Sequence, residues 1–223
     1  MAFSLEKYRQ LLQQIEVICQ KSGRNSADIT LVAATKYASV TEVNEALGAG
    51  IINIGENRVQ DAFQKFSELK GTCKKHFIGH LQTNKAKVAV QLFDVIESVD
   101  RIELIKKLSI EAEKQQKFLD VLLQVNIAND DAKFGCDSND VQMLVKKILE
   151  SQQLVFKGFM AIVPYTENSE DARSWFKKMK ELFDDYRTRY KTVETLSMGM
   201  SHDFQVAIEE GATEIRVGSL LFR

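Results

Sequence analysis

Leu31-Val32-Ala33-Ala34-Thr35-Lys36 is a run of small and branched apolar residues that ends on a lysine. It reads as a core strand whose alternation puts Val32, Ala34 and Lys36 on one face and Leu31, Ala33 and Thr35 on the other. The lysine then follows the interior side chains of that strand. Burial disfavours the ammonium form and leaves an amine that attacks aldehydes, so Schiff-base lysines occupy such places. Taken alone, a lysine paired with a carboxylate or snorkelling from the strand end is the commoner outcome. The far end of the chain decides between them.

Working outward, Ser39-Val40-Thr41-Glu42 has the spacing of a capping box and opens a helix that stops at Gly48-Ala49-Gly50. Ile51-Ile52-Asn53-Ile54 then reads as a second strand ending at Gly55-Glu56-Asn57, and its helix carries Val59, Ala62, Phe63 and Phe66 inward. The unit recurs. Further strands are expected at His76–Gly79, Val95–Ser98, Phe118–Ile127, Val155–Ile162, Val193–Ser197 and Glu214–Val217. Helices separate them at Thr83–Leu92, after a cap at Asp100, at Asp137–Leu149, at Asn168–Tyr190 and at His202–Glu209. Upstream, Leu5, Tyr8, Leu11, Leu12, Ile15, Ile18 and Cys19 mark an extra amphipathic helix. Eight strand–helix units call for right-handed crossovers between parallel strands and suit a (β/α)8 TIM barrel filling one domain over residues 1–223. An open doubly wound sheet that bound a dinucleotide would carry a GxGxxG turn after its first strand, and the chain has none.

Composition removes several function classes. Thirty basic against thirty-one acidic residues give a formal charge of -1, so no global field steers the chain to nucleic acid or an anionic membrane. No apolar run is long enough for a secretory signal or a bilayer span, which makes a cytoplasmic protein the expectation. Cys19, Cys73 and Cys136 are odd in number and widely spaced, against a disulfide framework. His76 and His80 lie on an expected strand, where four residues span roughly 13 Å, too far to share one metal ion. No metal is expected.

In a barrel, every strand opens its carboxyl end onto one face, which brings Lys36, Asn57, Ser201 and Arg216 together. Strand seven runs into Leu196-Ser197-Met198-Gly199-Met200-Ser201 and strand eight into Gly218-Ser219, the usual phosphate position of this fold. A lysine opposite a phosphate cradle asks for a ligand with an aldehyde and a phosphate, and pyridoxal 5'-phosphate has both. Arg216 is placed deeper than Gly218, where it would face the ring nitrogen and keep it unprotonated. Singly, each residue has a plainer use: Arg216 in an ion pair with Glu214, Ser201 as a helix cap, Gly218 as a turn.

The segments Val32–Lys36, Gly55–Asn57 with Val59-Gln60, His76–Lys85, Leu196–Ser201 with Asp203, and Arg216–Ser219 together resemble the pyridoxal phosphate homeostasis proteins. The resemblance spans nearly the whole chain. It implies a barrel like the amino-terminal domain of alanine racemase, with pyridoxal phosphate on Lys36. It further implies Ser201, Gly218 and Ser219 at the phosphate, Arg216 at the ring nitrogen and Asn57 near the cofactor. The tail Leu220–Arg223 is shorter than is usual in that family, which puts a closing helix in question. The implied role is a carrier or regulator of the cofactor pool, with pyridoxal-phosphate-dependent apoenzymes as candidate partners and a monomer as the expected state. The alternative is an amino-acid racemase or decarboxylase. A racemase needs acid and base groups on both faces of its substrate, for which Tyr37 and Tyr165 are the remaining candidates, and packing in the core or at the rim is their simpler role.

Overall fold

A computed structural model describes residues 2–222. Its eight parallel strands close in sequence order into one barrel. They are β1 (Thr30–Ala34), β2 (Asn53–Glu56), β3 (Lys74–Phe77), β4 (Val95–Val99), β5 (Leu119–Gln124), β6 (Leu154–Met160), β7 (Thr195–Ser197) and β8 (Glu214–Val217). Closure is made by β1 against β8, with Val32 opposite Arg216 and Ala33 opposite Val217. An extra helix, α1 (Leu5–Lys21), precedes the barrel, and α2 (Val40–Gly48), α3 (Val59–Phe66), α4 (Ala86–Leu92) and α5 (Ile102–Lys114) follow β1 to β4. The ring is completed by α6 (Val141–Leu149), α7 (Arg173–Arg189) and α8 (Phe204–Glu209). None of the described helices is long and apolar enough to cross a membrane.

Strand alternation sorts the core into two compartments. Ala33, Ile54, Phe77, Ile96, Ile215 and Val217 join the apolar layer under the helices. On the opposite faces His76, Glu97, Ser197, Glu214 and Arg216 lie buried inside the barrel and bond to one another. The capping box forms as expected, with the Ser39 hydroxyl accepting from the Glu42 amide and the Glu42 carboxylate accepting from the Ser39 amide.

Several expectations need correction. β1 ends at Ala34, so Lys36 sits in the following turn and is exposed, not buried. Phe63 is exposed, while Lys65 takes a buried place on α3 because it finds a buried carboxylate partner. Leu5 and Leu12 are exposed as well, so the buried stripe of α1 is Leu11, Ile15, Ile18 and Cys19. The residue at the N-cap of α5 is Arg101; Asp100 instead accepts a hydrogen bond from the Arg101 guanidinium. β5 stops at Gln124, and Phe118 before it is exposed. No closing helix forms in the described tail. The amides of Leu221 and Phe222 both donate to the Gly218 carbonyl, and Phe222 pairs antiparallel with Phe3.

Candidate functional site

The site is built first by what fixes the end of β1. The Thr35 amide donates to the Gly55 carbonyl at 2.8 Å, and its hydroxyl donates to Glu56 Oε1 at 2.7 Å. From α3, Lys65 Nζ donates to the Thr35 carbonyl at 2.7 Å and pairs with Glu56. The peptide leading into Lys36 is therefore clamped from three sides, while the Lys36 side chain beyond it stays in solvent. Its ammonium lies 4.9 Å from the centroid of the Tyr37 ring.

Lys36 lines a cavity of about 440 Å³ together with Ser201, Arg216, Gly218 and Ser219, drawn from the ends of β1, β7 and β8. Backbone shape makes this possible. Gly199 has φ +92°, a left-handed conformation in which a Cβ would also lie 2.5 Å from the Ala207 methyl, so the chain after β7 can fold back beneath α8. At Gly218 a Cβ would lie 2.9 Å from the Ala34 carbonyl oxygen, so only glycine lets the turn after β8 approach β1 this closely. Ser201 is not the cap of α8. That position is held by Asp203, whose carboxylate accepts from the Met200 amide at 2.6 Å. The Ser201 hydroxyl thus belongs to a turn that borders the cavity.

Arg216 forms the cavity floor and is 4% exposed. One guanidinium nitrogen donates to Ser197 Oγ at 2.5 Å and the other to the Ala161 carbonyl at 2.9 Å. The carboxylate that Arg216 approaches is Glu97, at 3.7 Å across the barrel, and not Glu214, the partner in the plainer alternative. Glu97 in turn accepts from Ser197 Oγ at 2.7 Å and lies 2.8 Å from His76 Nδ1. Burial alone would raise Glu97, but the bond to His76 and the charges of His76 and Arg216 hold it below the ordinary carboxylate range. Burial alone would lower His76, yet its bond to Glu97 and the nearby carboxylates lift it above its ordinary value. Glu214 is pushed up to about 7 by burial and by the charge of Glu97.

The structure brings together five of the six expected residues. Asn57 is the exception: it borders a neighbouring depression at the ends of β2 and β3 with Arg58, Gln60, His80 and Lys85, and does not line the Lys36 cavity. Sequence reasoning missed His202 at the cavity rim, whose Nε2 lies 2.9 Å from the Thr166 carbonyl. Its position directly after Ser201 was the available signal. It also missed the roles of Glu97, Ser197 and Lys65, which act through other residues.

Comparison with known proteins bears on this arrangement. The sequence model of the alanine racemase N-terminal domain matches residues 5–223. A pyridoxal phosphate homeostasis protein of Aquifex aeolicus is 39% identical over 219 residues, covering 97% of this chain and 96% of the relative. The chain belongs to the pyridoxal phosphate homeostasis family. Among solved structures, an unknown protein from Bifidobacterium adolescentis superposes with a TM-score of 0.92 at 30% identity, covering 98% of this chain and 94% of that one. PipY of Synechococcus elongatus PCC7942, solved with PLP bound, gives a TM-score of 0.83 at 32% identity, covering 94% of this chain and 100% of PipY.

Proposed function

We propose that the protein binds pyridoxal 5'-phosphate in the Lys36 cavity and serves intracellular pyridoxal phosphate homeostasis, and through it amino-acid metabolism, as a carrier or regulator. The observation that carries the reading is the convergence of Lys36, Ser201, Arg216, Gly218 and Ser219 on one cavity from opposite ends of the sequence. The residues fit the cofactor. A close-approach glycine and two hydroxyls suit a phosphate, a fixed cation suits a ring nitrogen, and an exposed primary amine suits an aldehyde. When bound, pyridoxal phosphate supplies an electrophilic aldehyde and an electron-accepting ring. Lys36 offers its Nζ at the solvent side of the cavity, on a turn held rigid by Glu56 and Lys65. Ser201, with the Gly218-Ser219 turn, anchors the phosphate. Arg216, permanently charged and clamped by Ser197 and Ala161, resists protonation of the ring nitrogen opposite it.

Carriage rather than turnover is supported by the rim. Tyr37 and Tyr165 are 72% and 77% exposed, so neither is held dry on a face opposite Lys36 in the way a racemase acid requires. We extend the reading to one cofactor-binding domain over residues 1–223, acting as a monomer in the cytoplasm, with pyridoxal-phosphate-dependent apoenzymes as recipients. The test is spectroscopic. The loaded protein is expected to be yellow, to lose its visible band on borohydride reduction, and to carry the reduced adduct on Lys36 by mass spectrometry. Lys36→Ala should bind the cofactor weakly and without a covalent link. An adduct on Lys85 or Lys133 would overturn the assignment. Amino-acid racemisation or decarboxylation at about 1 per second or faster, lost in Lys36→Ala, would favour the enzymatic alternative.

A further inference from the structure

Beneath Arg216, at the opposite end of the barrel axis from the cofactor cavity, His76, Glu97 and Glu214 converge from β3, β4 and β8. One ligand atom from each lies within 4.8 Å of the other two, and all three side chains are buried. His76 Nδ1 is the focus, 2.8 Å from Glu97 Oε1 and 3.9 Å from Glu214 Oε2. Ligands held about 2.1 Å from a tetrahedral ion lie roughly 3.4 Å apart, so a shared cation needs the first pair to open and the second to close by about half an ångström each, with the Glu97–Glu214 pair, within 4.8 Å, closing as well. A cation would displace the Nδ1 proton that now bonds Glu97, and the second imidazole nitrogen, Nε2, lies 3.4 Å from Asn53 Oδ1, which can accept the proton that stays on the ring.

Two independent observations point to a cation here. Glu214 is 4% exposed, yet its Oε1 has no hydrogen-bond partner among the described residues, a costly state for a buried carboxylate oxygen. The second is the route in. A depression of about 330 Å³ at the barrel base is lined by both His76 and Glu214, and its walls carry Asp28 and Glu194 against the single cation Lys74. Lys74 is itself paired with Asp120 at 2.9 Å, and Lys157 pairs with Glu194 outside the lining. Within the cluster, the two buried carboxyl groups face Arg216, which reaches Glu97 through its other oxygen at 3.7 Å, and the His76 imidazole, whose charge also acts on both.

We propose that His76, Glu97 and Glu214 form a binding site for one divalent first-row transition cation, of the zinc or cobalt class, entered from the barrel base. One imidazole and two carboxylates suit such ions, and the depression leaves room for water to complete the coordination. The depression shares no lining residue with the cofactor cavity, and the test reads metal binding and not cofactor binding. The full-length protein, stripped with chelator, is titrated with Co2+ and with Zn2+ by calorimetry and by visible absorption. One equivalent should bind, with cobalt d–d bands and a rise in Tm. Glu214→Gln keeps the side-chain volume and should weaken binding about 100-fold or more, the upper end of what losing a supporting group costs a metal site. Glu97→Gln should do the same. Because Glu97→Gln also touches the Arg216 support and can unfold the barrel, the second control is His80→Asn/His202→Asn, which removes the two other histidines. Saturable binding that survives Glu214→Gln, or that disappears only in the His80/His202 variant, would overturn the proposal. So would the lack of any one-equivalent binding to the stripped wild-type protein.

Discussion

The two ends of the barrel axis handle charge in opposite ways. At the mouth, Lys36 is held out to solvent on a turn, and Ser201, Gly218 and Ser219 border open space. Inside the barrel below it, His76, Glu97 and Ser197 satisfy one another in a buried chain that ends on Arg216, the floor of that cavity. The difference teaches where reactivity and rigidity are kept. Groups meant for a ligand are presented by backbone turns, whereas the groups that aim them are locked inside, where low dielectric strengthens each bond. Lys36 and Lys65, which both attach to the end of β1, make the same contrast: Lys36 is exposed with the Tyr37 ring beside it, while Lys65 is 8% exposed and bonded to both Glu56 and the Thr35 carbonyl.

That contrast breaks most severely if the buried lysine is removed. Lys65→Met leaves the Glu56 carboxylate inside the protein with the Thr35 hydroxyl and no opposite charge, and losing one partner of a buried pair costs about 3–5 kcal/mol. Denaturant unfolding should register a loss of that size. Adding Glu56→Gln should recover a large part of it, because the uncompensated charge goes too. If Lys65→Met lost no more than an exposed lysine does, the clamp on the Thr35–Lys36 peptide would not exist in solution.

The fold was legible because its signal is repeated. Eight strand–helix alternations each carry a weak period, and the capping box at Ser39 or the Gly48-Ala49-Gly50 break fixes the phase of the first unit. The mouth was legible for the same reason, since strand ends in a parallel barrel share one face whatever their side chains are. Burial of single polar residues was not. Lys65 and Phe63 are two positions apart on α3, and periodicity sends the phenylalanine inward; only the presence of Glu56 on a neighbouring strand reverses the choice. Lys36 was read one step too deep because β1 yields to a turn after Ala34, where Thr35 turns its bonds onto β2. Asn57 follows the end of the adjacent strand and lines the neighbouring depression, not the Lys36 cavity. Glu97 and Glu214 come within 4.8 Å of each other across the barrel interior, a relation that no spacing along the chain records.

A smaller effect sharpens the division between anchoring and aiming. Ser201 borders the cavity while Arg216 is set in its floor, so the two should fail differently. Losing one hydrogen bond to a charged phosphate costs roughly 1.5–3 kcal/mol, about ten- to a hundredfold in affinity. Ser201→Ala should lose cofactor affinity by that factor and keep the spectrum of the loaded protein. Arg216→Gln removes the fixed charge and leaves the Glu97 carboxylate with one cation fewer, so it should shift the spectrum and its pH dependence. Titration followed by a pH series decides between them, and identical spectra with equal affinity losses would mean that Arg216 only anchors.

The last effect concerns the base in the absence of any added metal and is read as a slope against pH. Glu214 has an ordinary value of 4.5 and is pushed up to about 7 by burial first and the Glu97 charge second, so the native protein holds more protons than the unfolded chain between those values. His76, raised above 6.5 on balance, acts with the same sign. A group raised on folding contributes stability that is complete below its unfolded value and is lost as pH rises through its folded one. Unfolding free energy should therefore fall as pH rises from about 4.5 to about 7 in chelator-treated protein. Glu97, lowered on folding, works the other way but only below its ordinary value of 4.5, outside that window. Glu214→Gln cannot titrate and should flatten the slope across the window while leaving a residual fall near the His76 end. A wild-type profile that rises from pH 4.5 to 7, or a slope unchanged in Glu214→Gln, would show that the barrel base does not hold these protons.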